Sequence, residues 1–208
     1  METPQRLLLI ASPLMRRTPA YDRAAALAKA KGMALHIVAF DYVEGLATAG
    51  LVNDQALAVM REGYVQQHRA WLETQAVPMR RNGVTVTTEV VWVQQPLDEI
   101  LIHLREQPFA MLIKELEHEP WWMRAMFTSL DIQLLRETRT PLHLVHKASH
   151  ALPRRILAAV DLSRPEDQFE GFNDQIISEA LKLALQCNAQ IELLYAYDMG
   201  SMYLDADD

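Results

Sequence analysis

Glycine is scarce in this chain, at 7 of 208 residues. Cysteine is scarcer, with Cys187 alone, and positive charge is in deficit, giving a net charge of −7. Each shortage excludes something. One cysteine rules out an intrachain disulfide and fits a reducing compartment. An acidic balance argues against nonspecific nucleic-acid binding, which needs a basic face to displace counterions. No apolar run is long enough to form a membrane-spanning helix, so no membrane role is expected. The first residues, "METPQRLLLIASPLMRRTP", do not read as a secretory signal. Their apolar run is broken by Ser12 and Pro13, and Arg16 and Arg17 follow it instead of preceding it. A cytoplasmic location is the expectation.

What is present alternates strand and helix. "RLLLIAS" (Arg6 to Ser12) is continuously apolar, as befits a strand buried on both faces. Thr18 and Pro19 open a helix as N-cap and first residue, and Gly32 closes it. "ALHIVAFDYV" reads as the second strand, and a long helix follows from about Asn53 to Arg81. Leu57, Met60, Tyr64, His68, Trp71 and Leu72 recur along it at helical spacing. "VTVTTEVVWV" is a β-branched third strand, and Pro96 opens the next helix. "FAMLI" is the fourth strand, "LDIQLLRETR" a helix, and "LHLVHK" (Leu142 to Lys147) the fifth strand. Strands joined by helices imply an α/β fold, a doubly wound parallel five-stranded sheet.

The pattern then starts again. "PRRILAAVDLS" resembles "QRLLLIASP", and "LYAYD" echoes "IVAFD". This internal repeat predicts a first domain over 1–147, a linker over 148–153 and a partial second copy, strand–helix–strand, over 154–208. After its second strand only "MGSMYLDADD" remains, too little for three more strands. Two strands are seldom stable alone, so the second copy is expected to need the first domain, a partner chain or further sequence.

The segment "KELEHEPWWMRAMFTSLD" (Lys114 to Asp131) joins the fourth strand to its helix, where parallel sheets carry their ligand loops. Phosphate-binding loops are glycine-rich so that backbone N–H groups can approach the anion. This junction has no glycine. It holds Glu115, Glu117 and Glu119 and an apolar group of Trp121, Trp122, Met123, Met126 and Phe127. The apolar group reads as packing of the junction or, less simply, as a lid or partner contact.

The stretches "RLLLIAS", "IVAFD", "MLIKELEHE", "FTSLDIQLLRETRTPLHLV" and "RILAAVDL" with "YAYD" resemble the universal stress protein family in its tandem form. The resemblance implies a Rossmann-like fold, a non-enzymatic role and survival of stress, including DNA damage, with motility or adhesion roles in some bacteria. Nucleotide-binding members carry Gly-x2-Gly-x9-Gly-Ser/Thr after the fourth strand. Those glycines fall here on Glu115, His118 and Thr128, followed by Ser129. The family's adenine-side aspartate falls on Ser12, so the first domain has lost the signature and no cofactor is expected in it. Its glutamates would also repel a triphosphate. The second copy keeps the aspartate as Asp161, either a ligand contact or a carboxylate capping the following turn. An alternative role, ATP binding with switching or weak ATPase activity, would reside in a completed second domain. The family's habit of pairing through last strands implies a homodimer through Leu142–Lys147, and a small ligand between the halves is a further expectation.

Other constellations point to little chemistry. His143, His146, His150 and "ELEHE" suggest metal, but His143 and His146 lie three apart on a strand and face opposite ways. Lys114 could serve an anion, though an ion pair with a neighbouring glutamate is the simpler reading. No nucleophile motif of the G-x-S-x-G kind is present.

Overall fold

A computed structural model of the chain describes residues 6–42, 54–116, 129–146, 150–161 and 171–195. The chain divides into two compact units, Met1–Ala151 and Leu152–Asp208. The first contains β1 (Arg6–Ile10), α1 (Pro19–Lys31), β2 (Ala34–Asp41), α2 (Asp54–Arg81) and β3 (Val86–Trp92). It continues with α3 (Pro96–Glu106), β4 (Phe109–Glu115), α4 (Leu130–Glu137) and β5 (Leu142–Val145). The strands form one parallel sheet in the order β3-β2-β1-β4-β5. The order reverses between β1 and β4, which creates a switch-point crevice at their carboxyl ends.

The sequence of β1 explains its central place. Leu7, Leu8 and Leu9 are all fully buried, because alternate side chains enter the two opposite cores. On one face Leu8 and Ile10 meet Val38, Phe40, Ile100, Phe109, Leu112 and Leu134, from β2, α3, β4 and α4. On the other face α1 and α2 cover the sheet with Tyr21, Ala24, Leu27, Leu72 and Ala76. Helix α1 starts at Pro19 after an extended Thr18, whose side chain makes no capping bond. Gly32 ends it in the left-handed region, at φ 63, where its N–H reaches back to Ala28 and Lys29.

Strand β5 is shorter than the Leu142–Lys147 expected. It stops at Val145, opposite Glu115, the last residue of β4, and Lys147 lies outside the described residues. The carbonyls of Pro141 and Val145 accept from Leu112 and Leu116, so alternate residues from 141 to 145 bond towards β4. Leu142 and Leu144 therefore turn their backbone groups to the sheet's edge.

The second unit consists, among the described residues, of β6 (Arg155–Val160), α5 (Phe172–Cys187) and β7 (Gln190–Tyr195), with β6 and β7 parallel. Asn188 takes the left-handed cap position that Gly32 fills in the first unit. One helix cannot cover both sheet faces, and Leu157 and Leu194, which share a face, stay 56% and 45% exposed.

His143 of β5 accepts a hydrogen bond at Nε2 from Arg23 Nη1 of α1, at 3.3 Å. Burial, then the charges of Arg23 and Lys31, lower its pKa from 6.5 to about 4. The folded state thus refuses a proton that the unfolded chain takes up, and stability falls as pH drops from 6.5 towards 4. Replacing His143 by Asn should flatten that acid limb by up to one proton, about 1.4 kcal/mol per pH unit. Denaturant midpoints at a series of pH values check this. Parallel slopes for the two proteins would show that His143 titrates normally. His36 is shifted the same way by burial but is common to both proteins.

Candidate functional site at the carboxyl ends of the strands

Three strand ends converge on the switch-point side. At β1, Ser12 Oγ accepts from the Leu14 N–H at 3.4 Å, a local turn contact. At β4, Glu115 pairs with Arg16 at 3.3 Å, and so links the ends of β1 and β4. Tyr21 is fully buried on the same side of the sheet, with Arg17 5.7 Å from its ring centroid. Burial, opposed by Arg17 and reinforced by Glu115, raises its pKa well above the usual tyrosine value.

The end of β2 carries the most developed polar arrangement. Asp41 is buried, and its Oδ1 accepts from the Tyr42 N–H at 2.8 Å. Its Oδ2 accepts from Tyr64 O–H and from His68 Nδ1, each at 2.8 Å. Tyr64 and His68 are one turn apart on α2, so one helix face delivers both donors. Burial first, then the bond to Asp41, raises the Tyr64 pKa to about 12. His68 packs edge-on against Tyr64 and Trp71. The arrangement holds α2 on β2 and keeps Tyr64 protonated as a donor. In the sequence Tyr64 and His68 show only as members of a series at helical spacing. An aspartate closing an apolar strand was the available signal.

Lys114 also differs from its expected pairing. Its Nζ lies 3.0 Å from Asp131 of α4, and both side chains are nearly inaccessible. The pleat explains the choice of partner. Lys114 is on the face of Leu112 and Ile10, under α4, whereas Glu115 faces the opposite way. Asp131 also sits in the first turn of α4, where the helix dipole favours an anion. Ser129 is the N-cap of that helix and accepts from the Ile132 N–H at 3.4 Å.

Of the degenerate loop positions, Glu115 and Ser129 are thus seen in structural roles. His118 and Thr128 lie outside the described residues, as do Glu117, Glu119, Trp121, Trp122, Met123, Met126 and Phe127. In the second unit Asp161 is exposed, and the amide of Asn173 clamps its backbone. The Asp161 N–H donates to Asn173 Oδ1 at 3.1 Å, and Asn173 Nδ2 donates to the Asp161 carbonyl at 2.6 Å.

A parallel five-stranded sheet of this order, with its polar groups gathered at the carboxyl ends, defines a doubly wound α/β protein of the kind that binds ligands at a switch point. The description of the universal stress protein family matches residues 11–146, and the chain belongs to that family. It is 26% identical over 200 residues to universal stress protein E of Photorhabdus laumondii, matching 95% of this chain and 64% of the relative. It is also 26% identical to universal stress protein E of Escherichia coli K12, matching 93% of this chain and 61% of that protein. The chain therefore spans less than two thirds of the length of these curated relatives. Among solved structures, a functionally unknown protein of Pseudomonas aeruginosa PAO1 shares the fold. Its TM-score is 0.66 and its identity 21%, over 94% of this chain and 62% of the other. No helix among the described residues is long and apolar enough to cross a membrane.

Removing one partner of the Lys114–Asp131 pair strands a buried charge. Asp131→Asn should cost about 3–5 kcal/mol of stability, and the double change Lys114→Met with Asp131→Leu should recover most of it. Urea midpoints of the single and double variants test the pair. A single variant as stable as the parent would mean that water reaches the charge.

Proposed function

We propose that this protein is a non-enzymatic stress protein that acts by binding a partner or small ligand in the cytoplasm, with a first domain that does not bind nucleotide. The observation that carries the reading is the Arg16–Glu115 pair at the β1/β4 crevice, where nucleotide-binding members place a glycine loop. A triphosphate there would meet the Glu115 carboxylate and compete with it for Arg16. The relatives' names support a role in stress response. Resistance to DNA damage belongs to the same reading. Calorimetric titration with Mg-ATP should give no saturable heat. Binding in the range of about 1–10 μM would overturn the proposal.

The reading includes a homodimer through β5. This strand bonds to β4 on one side, and its other side carries the outward backbone groups of Leu142 and Leu144. Among the described residues no strand pairs with that side; an edge of this kind templates a second strand, and a two-fold axis makes antiparallel pairing of two copies self-complementary. Light scattering should give the mass of two chains, and Leu144→Pro, which removes an outward donor, should give one. A monomeric parent, or a dimer indifferent to the proline, would count against the edge.

A further inference from the structure

Beside the edge strand β3, an open cleft of about 340 Å³ lies between α2 and β3. That volume is within the range of small-molecule sites. Its lining is Ala58, Arg61, Glu62, Val65, Val90 and Trp92. It is separate from the switch-point crevice, because β2 lies between β3 and β1. Val65 and Val90 are buried and make the apolar floor. Trp92 makes a wall that two other rings hold in place. Tyr64 meets it edge-on at 5.8 Å, and Tyr42 lies tilted at 5.7 Å. Tyr64 is itself fixed by its bond to Asp41.

The rim carries two opposite charges. The Arg61 guanidinium lies 5.4 Å from the Trp92 ring centroid, and no carboxylate among the described residues pairs with it. Among the described residues, the Glu62 carboxylate accepts one hydrogen bond, from Gln66 Nε2 at 2.7 Å. A carboxylate has about four acceptor sites, so one amide does not saturate it.

We infer that this cleft binds free amino acids with large apolar side chains, as zwitterions. The guanidinium takes the carboxylate, in a fork geometry suited to it. Glu62 takes the ammonium, and the side chain lies between Trp92 and the valine floor. A simple anion would meet Glu62, and a simple cation would meet Arg61. A neutral apolar molecule would leave both rim charges unanswered. Only a ligand with both charges and an apolar body matches the two rim charges together with Trp92 and the valine floor.

Titration of the full chain with L-phenylalanine tests the site. Saturable binding of one molecule per chain is expected, with Kd between about 10 μM and 1 mM. Arg61→Gln and Glu62→Gln should each weaken it at least tenfold, about 1.4 kcal/mol. Both positions are exposed on α2, and circular dichroism confirms the helix in each variant. 3-Phenylpropanoate, which lacks the ammonium, should bind the parent more weakly and gain affinity in Glu62→Gln. No saturable heat at about 10 mM phenylalanine, or equal affinity in parent and variants, would overturn the assignment. Neither result bears on the ATP titration, which reports on the other crevice.

Discussion

Asp41 has to be satisfied from inside the protein, and much of the first unit follows from that. A buried carboxylate without donors costs several kcal/mol, and this one is 3% exposed at the end of a central strand. Its own chain supplies one N–H, from Tyr42, and α2 supplies the other two donors. Once Tyr64 and His68 point at Asp41, the rotation of α2 about its axis is set. Val65, Leu72, Ala76 and Met79 then fall on the sheet side and are buried. The stripe Ala58–Arg61–Glu62–Val65, at spacings of three and four, falls along β3 and lines the cleft there. One buried charge thus fixes both the docking of a 28-residue helix and the setting of Trp92.

The opposite face is governed by the same rule with different groups. Lys114 reaches Asp131, and His36 of β2 reaches Glu89 of β3 at 3.2 Å while its Nδ1 lies 2.7 Å from Thr87. His103 of α3 approaches the same Glu89 at 3.7 Å and packs edge-on against Phe40. In each of these pairs a polar side chain that enters the core meets one from a neighbouring element. Such contacts add little net stability in place of apolar ones, but they penalise wrong registers, since a one-residue slip would strand the charges.

The alternation of strands and helices was legible because each strand is short, bounded and either apolar or β-branched, and the helices repeat at 3.6 residues. The partners of buried polar groups were not. Chain proximity points Lys114 to a neighbouring glutamate, yet the pleat sends Glu115 to the other face. Helical spacing puts Tyr64 and His68 in one series but does not reveal that a neighbour is a carboxylate 23 and 27 residues earlier. The cleft joins residues of α2 to β3 across a similar gap, and no local motif marks them. Local periodicity carries the elements, whereas polar pairing depends on which elements the topology makes neighbours.

The repeat shows this dependence within one chain. "RLLLIAS" and "RILAAVD" place Leu8 and Leu157 at matching positions, and in each unit the strand pairs in parallel with the next one across a helix. Yet Leu8 is fully buried and Leu157 is 56% exposed. The strand sequence is equally apolar in both, so local pattern does not account for the difference. Leu8 is covered by α3 and α4, which come about 90 to 130 residues later in the chain and lie on the face that α1 leaves open. In the second unit α5 packs against β6 and β7, and it can cover one face only. An apolar strand of this kind states a demand for two covering layers. Which residues meet the demand is decided by the crossover on either side of the switch point.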